Sequence, residues 1–214
     1  MDRKQIEIRN LSLEEVDQIA KIHINAFQES LISKLGTKVT KAYYKWQFES
    51  PDDVYSIGAF IDNRLVGFSF GGIFKMALGG FIANNRKLVF SQILLHPWVL
   101  LHPHFTKKIL LGLRLFFLFP KKGHQNKFQN AEFSKKGKPY FGILSIAINS
   151  SARGKGVGRL LMERTETLAK ENEFRKMLLS VDPNNKNAVD FYLHLGWEKE
   201  MLTTEWNGKM IKFI

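Results

Sequence analysis

Arg153-Gly154-Lys155-Gly156-Val157-Gly158 is the run of this chain best suited to hold an anion. It follows the apolar stretch Gly142–Ile148 and opens an amphipathic pattern, so it reads as strand, glycine-rich turn, helix. That order presents backbone N–H groups and the positive end of a helix to a phosphate. Glycine lets the main chain come close to the anion. Arg153, Lys155 and Arg159 add cations beside it, or else form a solvated basic face. Two familiar phosphate loops fail on spacing. A P-loop needs Gly-Lys-Ser/Thr, which does not occur, and a dinucleotide fingerprint would need glycine where Arg159 stands. The expected ligand is a pyrophosphate, bound by residues 153–159.

A second pattern lies downstream: Asn185-x-x-Ala188-x-x-Phe191-Tyr192-x-x-x-Gly196-Trp197. With Arg153-x-x-Gly156-x-Gly158 before it, the chain resembles the GNAT N-acetyltransferase superfamily, whose coenzyme A loop reads Gln/Arg-x-x-Gly-x-Gly/Ala. Trp197 replaces the phenylalanine usual in the later motif. The resemblance implies acetyl-coenzyme A as cosubstrate and no metal. It implies that Ile146, Ala147 and Ile148 lie on a bulged strand that splays from its neighbour, offering backbone groups to the pantetheine arm and an N–H to a developing oxyanion. It implies that Arg153, Gly154, Lys155, Gly156, Val157, Gly158 and Arg159 contact the pyrophosphate, and that Asn185 contacts the pantetheine arm or the coenzyme backbone. Tyr192 is implied as the catalytic residue, giving a proton or a stabilising hydrogen bond to the departing thiolate. Read from the residues alone, Tyr192 is a core tyrosine on an apolar helix face and Asn185 a first-turn residue. The strand position where many members carry an acid holds Ser145. Deprotonation of an acceptor then falls to water, Asp182, His23 or Glu29.

The elements that must position these groups can be read in order. Ile6 and Ile8 mark a short strand, and Ser12-Leu13-Glu14-Glu15 is a capping box for a helix with Val16, Ile19, Ala20, His23 and Phe27 on one face. Thr40–Phe48 reads as a second helix. Val54–Ile61 and Leu65–Phe70, joined by Asp62-Asn63, read as a hairpin. After the central strand Gly142–Ile148, the next helix buries Val157, Leu160, Leu161 and Leu168 and runs to about Glu171. Met177–Val181 is a strand parallel to the central one, and Ala188–Leu195 is a short helix ended by Gly196. Trp197–Trp206 and Lys209–Ile214 pair around Asn207-Gly208. The fold class is α+β, an α/β/α sandwich with a mixed sheet.

The chain has 214 residues, 44% hydrophobic and 24% charged, which suits one globular domain over 1–214. It has no cysteine, which removes disulfides, thiolate nucleophiles and thiolate metal sites. The first residues, MDRKQIEIRN, lack an apolar signal segment, so a cytoplasmic protein is expected. Net charge is +12, and nearly all of it lies in 72–138, where Glu132 is the one acid among Lys75, Arg86, Lys87 and nine further basic residues. This segment reads as an insertion of apolar, basic helices, 88–101 and 109–119, followed by a polar loop 121–138. Each run is shorter than the ~20 residues a membrane span requires. The insertion admits three readings: an acceptor site for a phosphorylated sugar, a peripheral contact with the inner membrane face, and a helical cap or homodimer surface. Its histidines, His96, His102, His104 and His124, lack the spacing of a metal set. Its aromatics sit in apolar runs rather than on a polar platform, which disfavours nucleic acid.

The function expected is acetyl-coenzyme A-dependent N-acetyl transfer to a primary amine of a small molecule, an amino sugar or nucleotide-linked sugar among the candidates, by direct attack. The alternatives are a protein or peptide acceptor, and a membrane-surface module on a degenerate acyltransferase fold.

Overall fold

The computed structural model describes residues 5–74, 77–101, 140–201 and 204–214. The apolar run 109–119, the loop 121–138 and His102, His104 and His124 lie outside the described residues. The strands are β1 (Glu7–Asn10), β2 (Asp53–Ile61), β3 (Arg64–Ile73), β4 (Phe141–Ile148), β5 (Lys176–Ser180), β6 (Glu198–Lys199) and β7 (Lys209–Phe213). They form one sheet in the order β1-β2-β3-β4-β5-β7-β6. Pairing is antiparallel except at β4–β5, which is parallel. The α-helices are α1 (Val16–Ala26), α2 (Leu31–Lys34), α3 (Thr37–Glu49), α4 (Ala77–Asn84), α5 (Arg86–Leu95), α6 (Val157–Glu171) and α7 (Lys186–His194).

The two faces of the sheet carry different helices. Ile19 and Ile22 of α1, with Val39, Tyr43 and Tyr44 of α3, pack with Phe68, Phe70 and Ala147. On the opposite face Val157 and Leu161 of α6 meet Ile57, Ala59, Val66, Ile146 and Ile148. Met162 and Ala169 of α6 join Tyr192 of α7, Met177, Trp197 and Met210 in a further cluster. The result is the α/β/α arrangement that the alternation of strand residues predicts.

Local chemistry sets the boundaries. Ser12 and Glu15 form the expected capping box, with Ser12 N–H donating to Glu15 Oε2 at 2.8 Å. Asp62 (φ 50°) and Asn63 (φ 59°) turn the β2–β3 hairpin, since both central positions of that turn need the left-handed region. Gly196 (φ 79°) ends α7. β3 continues through Gly72 and Ile73, the first residues of the basic segment.

Several expectations need correction. The second long helix begins at Thr37, after Gly36, and the short α2 precedes it. Residues 77–84 are helical, although Gly79 and Gly80 weaken the local propensity. Leu160 is on the exposed side of α6, and Met162, Thr165 and Ala169 take the core positions with Leu161. The closing hairpin is not a long strand around a tight Asn-Gly turn. Among the described residues only Glu198 and Lys199 pair with β7, and β7 itself lies between β6 and β5. In the basic segment, the helix over 88–101 stops at Leu95, before His96-Pro97, and continues as a 3-10 turn. Phe90, Leu94, Leu95 and Trp98 are exposed there. No helix among the described residues is long and apolar enough to cross a membrane.

Candidate active site

β4 is bonded to β3 along its length, but β5 pairs with it only at Phe141↔Met177 and Gly142↔Leu178. Beyond Gly142 the two parallel strands separate, so the rest of that β4 edge has no strand partner among the described residues. The register against β3 steps from Phe70↔Ser145 to Gly71↔Ile143, which makes Leu144 the extra residue of a bulge. Bulge and splay occur together, as the resemblance implies, and they leave backbone groups of 143–148 open to a ligand. A cleft of about 310 Å³ lies at the fork, lined by Gly72, Phe74, Tyr140, Gly142, Ile143, Leu144, Leu178, Leu179 and Ser180.

The glycine-rich turn closes the far end of the fork. Asn149 N–H donates to the Val66 carbonyl at 2.8 Å, and the Asn149 side chain accepts from Ser151 N–H at 3.2 Å in a short 3-10 turn. Gly156 (φ 80°, ψ −2°) is the residue before α6, and no side chain caps that helix. The amides of its first turn have no intrahelical acceptor, and no capping oxygen among the described residues. A Cβ on Gly156 would meet nothing within 4 Å, so glycine is there for its left-handed backbone and not for want of space. Gly158 differs. A Cβ there would stand 2.9 Å from Ile148 Cδ1 and 3.2 Å from Phe191 Cζ. Its bare Cα lets the first turn of α6 press against the end of β4 and against α7, joining the two sequence motifs in space.

Arg153, Lys155 and Arg159 are exposed, and Arg159 pairs with Glu163 at 2.8 Å, so part of its charge is already compensated. Val157 is buried beneath the turn. Asn185 caps α7, accepting from Ala188 N–H at 3.2 Å through Oδ1; its side-chain NH₂ is what it retains for a ligand. Tyr192 is 8% exposed, among Phe141, Met162, Met177 and Trp197. Its ring lies 6.0 Å from that of Trp197, and burial pushes its phenol up to about 12. Its hydroxyl has no hydrogen-bond partner among the described residues. Tyr192 is thus a core tyrosine whose phenol keeps its proton through the neutral range.

Sequence reasoning undervalued the α1–α3 side of β4. His23 Nδ1 lies 2.7 Å from Tyr44 Oη, and Tyr44 Oη lies 3.3 Å from Ser145 Oγ, next to the bulge. The signal was present as a histidine and tyrosines on apolar helix faces, but residues 21 and 101 positions apart in sequence carry no shared spacing pattern. Asp182 is exposed and bonded to Asn184 N–H, and Glu29 pairs with Lys34 at 2.8 Å. His96 bonds its own helix at Gln92 O and packs on Trp98.

Burial lowers the pKa of His23 from 6.5 to about 4. Between those values the unfolded chain holds a proton that the folded chain does not. Stability from this group is therefore full above pH 6.5 and declines as pH falls toward 4. The loss at the acid end is about 2 to 3 kcal/mol by linkage. Urea midpoints measured between pH 7 and 4.5 are expected to fall more steeply for wild type than for His23→Gln; parallel curves would contradict this.

The model of the Acetyltransferase (GNAT) family matches residues 110–197. No curated protein sequence matches this chain. Among solved structures, PaiA N-acetyltransferase from Thermoplasma acidophilum in complex with coenzyme A superimposes with TM-score 0.57 at 15% identity, covering 98% of this chain and 99% of that one. Ribosomal-protein-alanine N-acetyltransferase from Brucella melitensis gives TM-score 0.56 at 14% identity over 97% and 99%. Aminoglycoside N-acetyltransferase AAC(6')-Iy in complex with CoA gives 0.57 at 12% identity over 94% and 93%. At these identities the superpositions establish the shared fold.

Proposed function

We propose that this chain is a GNAT-family acetyltransferase that transfers acetyl from acetyl-coenzyme A to the primary amine of a small molecule by direct attack, a reading supported by the matched segment 110–197 and by the shared fold. The observation that carries the proposal is the fork between β4 and β5, with an uncapped helix N-terminus at its open end and a buried phenol alongside. The diphosphate takes the amides of Gly156–Arg159, aided by Arg153 and Lys155. The pantetheine arm runs along the free edge of β4 at Ile146–Ile148, in effect adding a strand where β5 has left. The thioester then lies toward the bulge and the cleft, where a β4 N–H around Ile146 stabilises the oxyanion.

The volume of the cleft, about 310 Å³, lies at the small end of the range of ligand pockets. Its lining is largely apolar and aromatic, which favours a compact amine over an extended polar chain. The amine nitrogen bonds to the carbonyl carbon, the C–S electron pair leaves on sulfur, and Tyr192 hydrogen-bonds the thiolate. With its phenol near 12 and a coenzyme thiol near ~8.5, full proton transfer is uphill, so the hydrogen bond does most of the work.

Calorimetric titration with acetyl-coenzyme A, followed by assay of coenzyme A release against amino sugars, polyamines and peptides with free N-termini, tests the reading. Saturable binding and release stimulated by a small amine are expected. Stimulation by peptides alone would move the acceptor to the protein class, and absence of coenzyme binding would overturn the proposal.

A further inference from the structure

The face of β4 opposite α6 carries a chain of hydrogen bonds that no role above accounts for. It runs from Ser145 Oγ to Tyr44 Oη at 3.3 Å, to His23 Nδ1 at 2.7 Å, and from His23 Nε2 to Ser30 Oγ at 3.1 Å. Ser30 Oγ accepts from Ser33 N–H at 3.1 Å and donates to Ser33 Oγ at 2.9 Å. Tyr44 is fully buried and His23 nearly so, whereas Ser30, Ser33 and Ser145 are half-buried.

The far end sets the direction of the whole chain. With Ser30 donating its one proton to Ser33, it accepts from His23, an arrangement that places the imidazole proton on Nε2. Nδ1 then has a bare lone pair, which receives the Tyr44 hydroxyl proton. Tyr44 Oη accordingly accepts from Ser145. Every donor points one way, from the bulge of β4 toward the α1–α2 connection. α1 ends at Ala26, so His23 sits in its last turn, close to the α1–α2 connection.

We infer that Ser145, Tyr44 and His23 form a proton relay that carries the surplus proton of the acceptor amine away from the reaction centre. The inference rests on the acetyl-transfer reading above. As the amine nitrogen bonds to the thioester carbon, its proton passes to Ser145 Oγ, Ser145 gives its own to Tyr44, and Tyr44 gives its own to His23 Nδ1. The C–S electron pair leaves on sulfur. The imidazolium releases its Nε2 proton through Ser30 to solvent, and hydroxyl rotation with tautomer exchange resets the chain. Ser145 is the group that meets the amine; Tyr44 and His23 act through it. A serine can therefore stand where an acid would otherwise be needed, because a neutral imidazole lone pair, weakly basic and so only a transient holder of the proton, lies two hydrogen bonds behind it. Burial keeps the imidazole neutral at rest and so able to receive.

Two measurements decide the matter. Nitrogen NMR of the imidazoles, with the His23 signals assigned by their loss in His23→Gln, reads the tautomer without any turnover; the Nε2–H form is expected. Tyr44→Phe and Ser145→Ala remove one oxygen each and keep the packing. Each is expected to slow coenzyme A release, with glucosamine, spermidine and an alanine-terminated peptide as probes, by at least about tenfold, while acetyl-coenzyme A affinity stays within about twofold. The double variant should be no worse than either single one, because the groups act as a unit. An Nδ1–H tautomer, or Tyr44→Phe turnover within about twofold of wild type, overturns the relay. Wild-type protein that does not bind acetyl-coenzyme A overturns the acetyl-transfer reading instead, and the imidazole spectrum still judges the hydrogen-bond chain.

Discussion

Gly156→Glu is expected to weaken acetyl-coenzyme A binding by about 10³-fold, from two contributions that can be separated. The first is conformational. Gly156 sits at φ 80°, where a residue with a side chain is strained by roughly 1–2 kcal/mol, so the substituted turn relaxes when free and must regain this geometry to bind. The second is electrostatic. A carboxylate about 5 Å from a phosphate charge is repelled by about 3 kcal/mol at an effective dielectric constant near 20. A Cβ here has no neighbour within 4 Å, so no clash arises at the branch point itself. Gly156→Ala therefore measures the backbone contribution alone and should lose only about tenfold. Isothermal titration at two ionic strengths distinguishes the two, because only the Glu variant has a strongly salt-dependent deficit. Equal affinity of Gly156→Glu and wild type would mean that the diphosphate does not lie on this turn.

Tyr192→Phe is expected to lower kcat by about 10²- to 10³-fold with acetyl-coenzyme A affinity almost unchanged. The deletion is close to pure. The ring keeps its contacts with Met162, Met177 and Trp197, and the lost hydroxyl leaves no protein partner unpaired among the described residues. The melting temperature should stay where it is, so a rate defect cannot be assigned to misfolding. Because burial pushes the phenol up to about 12, the kcat profile should show no phenol ionisation through the neutral and mildly alkaline range. Single-turnover measurements are the right readout, because slow product release hides a chemical defect in steady state. Unchanged single-turnover rates would remove Tyr192 from the chemistry and leave it a core residue.

The residues that specify backbone geometry were legible in one dimension. Gly156 before a helix, Asp62-Asn63 in a hairpin and Ser12 with Glu15 at a helix start act through their own φ, ψ or a partner three residues away. Such local rules survive without tertiary context. The order strand, turn, helix, strand, helix from Phe141 to His194 followed for the same reason. Errors gathered where packing overrides pattern. Leu160 has the character of a core residue but was displaced by Met162 and Thr165, because the angle at which α6 lies on the sheet chooses which side of the stripe is covered. Trp197–Trp206 looks like a strand, yet among its described residues only two find a ladder partner.

The amino-acid sequence by itself determined the glycine-rich turn before α6 and the residues that shape it, because those depend on neighbours within a few positions of one another. Only the tertiary structure decided that β5 leaves β4 after Gly142, that the Cα of Gly158 is pressed between Ile148 and Phe191, and that His23, Tyr44 and Ser145 share one line of hydrogen bonds. Those facts are distances between elements far apart in the chain. They arise from how two helices and a bulged strand settle against a common core, and no local spacing encodes them.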